Sequence, residues 1–371
     1  MNWTETAQGQ LDALQRLNRL RKAVPFDGDG PEGWVNGRRV LSFASNDYLG
    51  LTSHPSVRAA ACAAIEKFGT GAMASRLVVG TRSLHCELEA ALARWKSAES
   101  ALVFASGYAA NIGVLTALGG DDVTIFSDSL NHASIIDGCR LARAATAIYR
   151  HGDLDHLETL LRNTTGRKLV ISETVFSMDG DQIDAEALAR LCVRHGALLV
   201  LDSAHAVLDT AELPVDGLEL LHVGTLSKTL GSLGGFVAGP RPIIDLLTNR
   251  ARTYIFTTGL PPADTAAALA ALAICTSEEG AELRRRLRGL IDIVRPGHPS
   301  PIVPVILGDD AAALAGATQL FEAGIHVPAI RPPTVPAGTA RLRVALSAAH
   351  SEAMCKRLRD ALDKLAAVVG A

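Results

Sequence analysis

Two short apolar segments in the middle of the sequence are each followed by residues that could do chemistry. Leu198–Leu201 is typical of a buried strand and leads into Asp202 and His205. Leu221–Val223 leads into a run of small, hydroxyl and glycine residues that contains Lys228. Loops at the carboxyl ends of parallel strands are where α/β proteins place their ligands. A carboxylate, an imidazole and a primary amine are therefore expected at one edge of a sheet.

A lysine among glycines and hydroxyl residues is typical of two kinds of site. One is the phosphate-binding loop of an NTPase, which needs a glycine directly before the lysine and another about six residues before it. Here Ser227 precedes Lys228, and Gly224 lies only four residues before the lysine. The spacing therefore disfavours a nucleoside triphosphate loop.

The other kind of site is a lysine that forms a Schiff base with pyridoxal 5′-phosphate (PLP). This cofactor needs a primary amine at its aldehyde, a carboxylate at its pyridine nitrogen, and hydroxyls and backbone amides around its phosphate. Lys228 and Asp202 are of the types that the first two roles require. A helix N-terminus favours a bound phosphate. The candidate phosphate ligands are Ser106, Gly107 and Tyr108, which open an apolar helix, together with Thr225 and Ser227.

Two histidines lie on the same predicted rim of the sheet. His132 follows the strand Val123–Ser127 at the start of a helix, and His205 follows Asp202 by three residues. A lone histidine is more often structural or solvated than functional, and that interpretation is kept for the others. Because both lie at strand ends, His132 and His205 are candidate catalytic residues.

The composition of the 371 residues, 48% hydrophobic and 20% charged, is that of a globular protein. A net charge of −3 argues against a broad nucleic-acid surface. The most apolar stretch, near Ala263–Ile274, is shorter than the roughly 20 residues of a membrane span, so no membrane partner is predicted. The six cysteines are scattered and fit no zinc spacing. With a polar N-terminus, these features predict a reduced, soluble, cytoplasmic protein without a metal site.

From about residue 55 onward, short apolar strands alternate with helical patterns. Continuously apolar strands between helices are typical of parallel strands covered on both faces, so an α/β architecture is predicted. The predicted strands are Ala101–Ser106, Val123–Ser127, Lys168–Ser172 and Ala197–Asp202, and the predicted helices are Leu84–Trp95, Ala133–Ala144, His156–Leu161 and Ala185–His195.

The pattern changes on either side of this region. A narrow apolar stripe predicts an N-terminal helix over Leu11–Leu20, and His326–Ile330 and Ala340–Leu346 are strand-like. Ser351 is a suitable N-cap for a closing helix. We therefore predict an N-terminal helix and strand segment (1–45), a large cofactor-binding α/β domain with a mostly parallel sheet (46–260), and a smaller α+β domain (261–371).

Several motifs occur in the order found in the α-oxoamine synthases, PLP enzymes that condense an amino acid with an acyl thioester. The chain resembles this family from its first helix to its last. The most specific match is Glu173–Asp181, and the other matching segments are Asn46–Leu51, Gly69–Gly71 with His85 and Glu89, Ser106–Asn111, and Asn131–Ser134. The resemblance implies an aspartate-aminotransferase-like fold of type I.

The resemblance also implies individual cofactor contacts. It assigns Lys228 to the covalent link with PLP and His132 to stacking on the pyridine face. Asp202 would contact the ring nitrogen, His205 the phenolic oxygen, and Ser177 the cofactor.

A homodimer with shared active sites is a further implication of the resemblance. The partner subunit would supply the segment around Asn46, which contacts substrate, and the segment with Thr257 and Thr258, which contacts the cofactor.

Within the family, Ala329–Thr339 is similar to the members that condense L-alanine with a pimeloyl thioester in biotin synthesis. The similarity places Thr334 at the substrate, with His132, and Arg343 at the amino-acid carboxylate, assisted by Arg331. Arg21, at the predicted end of the first helix, matches the position that meets the far carboxylate of the pimeloyl chain. A planar guanidinium suits a carboxylate because it can pair bidentately.

One departure from the family pattern leaves alternatives open. Ser203 stands where an acidic residue is usual, and Ala206–Pro214 is shorter than the usual loop and lacks its glycines. The alternatives are another α-oxoamine synthase, using glycine with acetyl-CoA or a long acyl-CoA, and a PLP-binding protein of reduced activity. The carrier of the pimeloyl group, coenzyme A or a carrier protein, is also open.

Overall fold

Three β-sheets and thirteen α-helices occur in the part of the chain that the structure, a computed structural model, describes: residues 2–208 and 213–369. The strands are β1 Asp27–Gly28, β2 Glu32–Val35, β3 Arg38–Ser42, β4 Ser100–Phe104, β5 Val123–Asp128, β6 Ala145–Tyr149, β7 Arg167–Glu173, β8 Ala197–Asp202, β9 Leu220–Thr225, β10 Gly235–Gly239, β11 Ile302–Gly308, β12 Ile325–His326, β13 Ala329–Ile330 and β14 Ala340–Ala345. The helices are α1 Trp3–Arg16, α2 Pro55–Phe68, α3 Ser83–Trp95, α4 Gly107–Leu118, α5 Ala133–Leu141, α6 Leu154–Arg162, α7 Ala185–Arg194, α8 Arg241–Arg250, α9 Arg252–Ile255, α10 Pro262–Cys275, α11 Glu278–Val294, α12 Asp310–Glu322 and α13 Glu352–Val369.

The chain divides into two units. The smaller unit comprises residues 1–48, 178–180 and 285–371, and the larger comprises 49–177 and 181–284. The predicted domain limits stay a prediction, and the largest difference from these units is the segment 261–284. That segment belongs to the larger unit because α10 packs against α2 and α3.

A seven-stranded sheet organises the larger unit. Its strand order is β4-β10-β9-β8-β7-β5-β6, and all neighbours are parallel except the two pairs that β10 makes. Consecutive residues of β7 alternate between two apolar clusters, with Leu169 and Ile171 in one and Val170 in the other. Since successive side chains of a strand point to opposite faces, both faces are covered. This confirms the predicted mostly parallel sheet between helices.

Two helices begin at the carboxyl edge of this sheet. Ser106 caps α4, and its Oγ accepts the N–H of Ala109 at 3.1 Å. His132 caps α5, and its Nδ1 accepts the N–H of Ser134 at 3.2 Å. Because side-chain acceptors satisfy first-turn N–H groups, they stop each helix at a defined residue.

The smaller unit contains the other two sheets. One is antiparallel, in the order β11-β14-β13, and the other has the order β1-β2-β3-β12 with β12 parallel to β3. The predicted cap of the last helix is confirmed, since the N–H of Met354 donates to Ser351 Oγ at 3.2 Å. The strand predicted over His326–Ile330 is instead two short strands, β12 and β13, which join different sheets.

The first helix ends earlier than predicted. It spans Trp3–Arg16, and Asn18 has a positive φ of 58°, which α-helical geometry does not allow. Arg21 is therefore not a residue of the helix end, and the helix dipole gives no reason for its charge. No residue of α1 is buried, so packing within this chain does not extend the helix to Leu20.

The described residues contain no helix that is both long and apolar enough to cross a bilayer. None of the six cysteines forms a disulfide, and four of them, Cys139, Cys192, Cys275 and Cys355, are buried, as is expected of a small hydrophobic residue.

Candidate active site

A buried carboxylate closes β8 at the carboxyl edge of the sheet. Asp202 is 6% exposed, and its Oδ2 accepts a hydrogen bond from Asn111 Nδ2 at 2.7 Å. Its Oδ1 accepts the backbone N–H of Ala204 at 3.0 Å. Asn111 lies one turn into α4 and also donates to Ser134 Oγ at 3.0 Å. These donors fix the orientation of the carboxylate and offset part of its desolvation cost.

The lysine and the second histidine meet at the same edge. Lys228 Nζ lies 2.7 Å from His205 Nε2, and His205 is 4% exposed. Lys228 lies in the turn of the hairpin between β9 and β10, where Leu226 N–H donates to Gly234 O at 2.9 Å. An amine held beside an imidazole has a proton donor or acceptor within hydrogen-bond distance.

His132 belongs to the same group of charges. Its Nδ1 lies 2.8 Å from Ser134 Oγ, the hydroxyl that Asn111 also contacts. The pKa of His132 is lowered, and partial desolvation is the main cause. The negative charge of Asp202 acts in the opposite direction, whereas the positive charge of Lys228 adds to the lowering. A neutral imidazole at this position can lie flat against an aromatic ring without adding a charge.

Hydroxyl groups converge on the first turn of α4. Thr225 Oγ1 lies 2.7 Å from Ser227 Oγ. A Cβ atom on Gly107 would lie 3.3 Å from Thr225 Cβ, and one on Gly235 would lie 2.4 Å from Ser106 O. Glycine is thus needed for the hairpin to approach the helix end. Because a helix N-terminus carries unpaired N–H groups and a partial positive charge, this cradle suits a phosphate.

These groups together fit PLP. An amine, a buried carboxylate, an imidazole and a cradle for an anion are the donor set that this cofactor requires. Asn111 Oδ1 is buried and has no hydrogen-bond partner among the described residues, so the pocket is not fully satisfied by protein atoms. No cluster of side chains in the described residues could hold a metal ion.

The loop that contains Ser177 is tied to the end of β5 by a histidine. His151 Nδ1 lies 3.0 Å from Asp128 Oδ1, and its Nε2 lies 2.7 Å from Asp181 Oδ2. The imidazole also meets the Phe176 ring edge-on, at 4.4 Å between centroids. Hydrogen bonds to the two carboxylates raise the pKa of His151 from 6.5 to about 10.

The contacts of His151 with Asp128 and Asp181 make a pH-dependent contribution to stability. The pKa of His151 is higher in the folded than in the unfolded chain, so its contribution is complete below about pH 6.5 and disappears as the pH rises through about 10. We expect His151→Gln to lower the free energy of unfolding near neutral pH by about 1–3 kcal/mol. Urea denaturation should show a gap between variant and parent near pH 7 that closes at about pH 10.5.

His54→Asn is the matched control, because His54 pairs with only one carboxylate, that of the exposed Glu279, and asparagine can replace its Nδ1 as the acceptor of the Ser56 N–H at the start of α2. It should change stability little. A gap for His151→Gln that is constant across this pH range would show that the imidazolium does not stabilise the loop.

A carboxylate-binding group lies in the smaller unit. Both terminal nitrogens of Arg343 lie 3.2 Å from Asn46 Oδ1, and Arg343 is 6% exposed. Tyr48 OH donates to the same Asn46 oxygen at 3.1 Å, and burial raises the pKa of Tyr48 to about 12. Asn46 and Arg343 of one chain are thus in contact. The predicted contribution of Asn46 to the partner subunit's site stays a prediction.

Three other predicted substrate residues, Arg21, Arg331 and Thr334, also lie in the smaller unit. Arg21 donates to Thr334 Oγ1 at 3.1 Å, and Arg331 donates to the carbonyl of Asn18. Burial and the positive charge of Arg21 lower the pKa of Arg331. Two guanidinium groups whose charges repel each other would be stabilised by a bound carboxylate.

Two further predicted cofactor residues, Thr258 and Tyr108, have other contacts within the chain. Thr258 forms an isolated bridge with Ser75, and Thr257 precedes it. Tyr108 OH donates to Asp137 on α5. The shortened loop Ala206–Pro214 lies partly outside the described residues, since 209–212 are not among them.

Four residues that shape the site were given no role by the sequence analysis: Asn111, Glu173, Asp128 and His151. Asn111 and Glu173 lie inside matched motifs, and the position of Asn111 one helical turn after Gly107 could have indicated that it faces the same site. The partners of His151 are 23 and 30 residues away, and no local pattern indicates such contacts.

Known proteins that this chain resembles show its family. The family described as aminotransferase class I and II matches residues 38–362. An 8-amino-7-oxononanoate synthase from Anaeromyxobacter dehalogenans is 49% identical over 364 residues, which cover 93% of this chain and 91% of that protein. The chain belongs to the 8-amino-7-oxononanoate synthase family within the class I and II aminotransferases.

Solved structures support this family assignment. A serine palmitoyltransferase from S. paucimobilis with a bound PLP–myriocin aldimine superposes with a TM-score of 0.93 at 29% identity, covering 100% of both chains. An 8-amino-7-oxononanoate synthase from Francisella tularensis superposes with a TM-score of 0.74 at 27% identity, covering 89% of this chain and 98% of that one. The predicted family, the fold of type I, and a PLP-dependent acyltransferase are thereby confirmed.

Proposed function

We propose that this member of the 8-amino-7-oxononanoate synthase family condenses L-alanine with a pimeloyl thioester. The products are 8-amino-7-oxononanoate, carbon dioxide and the free thiol, and the step belongs to biotin synthesis. The observation that carries the proposal is the contact of Lys228 Nζ with His205 Nε2 at the sheet edge where Asp202 is buried. A cytoplasmic location is part of the proposal, in keeping with six cysteines that form no disulfide.

The residues of the larger unit would hold PLP. Lys228 would bond to it covalently, Ser106, Gly107, Thr225 and Ser227 would bind its phosphate, and Asp202 would hold a proton on its ring nitrogen. When bound, PLP withdraws electrons from the Cα atom of an amino acid and so makes the Cα–H bond acidic.

Both proton transfers at carbon are assigned to Lys228. Once its amine is released, Nζ takes the Cα proton of alanine and later returns a proton to the product carbon. His205, 2.7 Å from that nitrogen, orients the amine and supports its change of protonation state. His132 would lie against one face of the ring and exclude water from it.

Specificity is assigned to the residues of the smaller unit. Arg343, oriented by Asn46, would bind the carboxylate of alanine through a bidentate pair. Arg21 and Arg331 would bind the far carboxylate of the pimeloyl chain, with Thr334 beside them. Loss of carbon dioxide from the resulting β-keto acid completes the reaction, and the thiol leaves when the new carbon–carbon bond forms.

The direct test is to mix the PLP-loaded protein with L-alanine and pimeloyl-CoA and detect the amino ketone by mass spectrometry. The same protein is assayed with glycine and acetyl-CoA, with L-serine and palmitoyl-CoA, and with a pimeloyl carrier protein. Faster turnover of glycine or serine would assign the chain to another α-oxoamine synthase. Bound PLP with no turnover of any pair would favour a binding protein.

An exposed apolar surface supports the proposed homodimer with shared active sites. The segment 73–79 exposes Met73, Leu77, Val78 and Val79 by 74%, 53%, 72% and 58%. Thr258 is bridged to this segment through Ser75, and Phe256 nearby in sequence is 68% exposed. An apolar patch next to a predicted cofactor ligand is expected when a second copy covers it and receives that ligand.

We expect Val78→Asp to weaken the dimer, because a charge would be buried in an apolar interface. Analytical ultracentrifugation should detect monomers at concentrations where the parent is dimeric, and turnover should fall with the monomer fraction. Leu141→Asp, at a leucine 59% exposed at the end of α5, is the control and should stay dimeric. Full activity in a monomeric Val78→Asp variant would reject shared sites.

A further inference from the structure

The site contains a second buried acid for which the proposed reaction has no role. Glu173 ends β7 and is 3% exposed. Its backbone N–H donates to Asn131 Oδ1 at 3.2 Å, and Asn131 Nδ2 donates to Ile171 O at 3.0 Å. The end of β7 is thus hydrogen-bonded to Asn131, the residue directly before His132.

Two carboxyl groups lie side by side at this edge. Glu173 and Asp202 are register partners on the adjacent parallel strands β7 and β8. Two buried carboxylates so close cannot both be ionised without a large cost, so one of them holds a proton. Asp202 accepts hydrogen bonds from Asn111 and Ala204, and these donors favour the negative charge on Asp202.

Glu173 has fewer donors. The backbone N–H of His132 donates to its carboxyl group, while its Oε1 is buried and has no hydrogen-bond partner among the described residues. Other charged groups act on it from the elements around it: Asp202 on β8, Lys228 in the hairpin turn, and Asp128 on β5. Burial, followed by the Asp202 charge, raises the pKa of Glu173 to about 8.

We propose that Glu173 is a positioning residue: a neutral carboxylic acid beside the Asp202 carboxylate that holds the backbone of His132 in place. In this state it adds no second negative charge next to Asp202, whose charge stays available for a cationic ring nitrogen. Because His132 begins α5, fixing its N–H fixes the direction in which its imidazole leaves the backbone. The protonation state of Glu173 is a property of the chain without a cofactor. The value of orienting the His132 imidazole, in contrast, rests on the proposed function.

The protonation state can be measured on the protein without PLP. Infrared difference spectra between the parent and Glu173→Gln should show one protonated carboxyl band near neutral pH, and this band should vanish on titration with a midpoint near pH 8. Glu186→Gln, which replaces an exposed carboxylate on α7, is the control and should remove no such band. Absence of the band from the parent spectrum at pH 6.5 would overturn the neutral state.

The positioning role is tested by PLP affinity, measured by equilibrium dialysis with and without substrates. Glu173→Gln keeps a neutral group with an acceptor oxygen, so its affinity should stay within about threefold of the parent. Glu173→Ala removes the acceptor and should bind PLP about tenfold more weakly. Thermal unfolding of the apo proteins identifies a fold defect. Equal affinities for the alanine variant and the parent, or an equally large loss for the glutamine variant, would overturn the positioning role.

The two proposals fail in different ways. If the parent protein did not bind PLP, the proposed function would be rejected, while the infrared result would still decide the state of Glu173. If PLP bound and the amino ketone formed but no protonated carboxyl were found, only the proposal for Glu173 would be rejected.

Discussion

Lys228→Ala is expected to abolish condensation and to leave a protein that binds PLP only non-covalently. Lys228 Nζ lies 2.7 Å from His205 Nε2, and both the covalent link and the Cα proton transfer are assigned to it. Loss of the proton transfer alone lowers kcat by about 10²–10⁴-fold. Borohydride treatment followed by mass spectrometry should label the parent at Lys228 and leave the variant unlabelled.

Lys168→Ala is the matched control. Lys168 lies on β7 of the same sheet. Its Nζ donates to the backbone carbonyl oxygen of His195 at 3.5 Å. This variant should retain the label and the turnover. Borohydride labelling of Lys228→Ala at another lysine would remove the assignment of the covalent residue.

Asp202→Asn should separate cofactor binding from catalysis. Asparagine has nearly the same shape and can still accept the N–H of Ala204, so the fold and the phosphate cradle are retained. The full negative charge that would face the ring nitrogen is lost, however, and Asp202 is buried, with 6% exposure. Removing such an electrostatic partner lowers kcat by about 10²–10³-fold.

The measurement compares PLP affinity with kcat for the same preparation. Asp184→Asn replaces the N-cap of α7 by another good capping residue and is the control. A parallel loss of affinity and stability in Asp202→Asn would indicate a structural role, and unchanged turnover would contradict a role in holding the ring proton.

Five of the seven strands of the central sheet could be predicted from the sequence, because β4, β5, β7, β8 and β9 are mostly apolar and each leads into polar or glycine residues. Asp202 and Lys228 were recognised for the same reason: a charge directly after a buried strand has few structural explanations. The strands β6 and β10 were not predicted. β6 is mostly exposed at the sheet edge, and β10 consists of five small or apolar residues between glycine turns, so neither has a clear periodic pattern.

Contacts between distant segments could not be predicted. Arg343 and Asn46 are 297 residues apart in sequence, and only the fold brings them together. Asn111 was part of a recognised motif, yet its bond to Asp202 spans 91 residues. The position of Arg21 was misjudged for a different reason. The leucine spacing continues beyond Arg16, but Asn18 takes a left-handed conformation that ends the helix.

The reversed direction of β10 has a consequence for the motion of Lys228. Since β9 and β10 form a hairpin, the lysine lies on a short loop that is fastened at both ends, by Leu226 to Gly234 and by Ser232 to Leu226, each at 2.9 Å. A loop closed over so few residues loses little chain entropy on folding and opens only with the sheet itself. The N–H groups of Leu226 and Ser232, which close the loop, should therefore exchange with solvent as slowly as those of the core strands. In the proposed reaction the Lys228 amine must leave the cofactor and return to it in every turnover. Rotation of the side chain is enough for this movement, without a change in the backbone conformation.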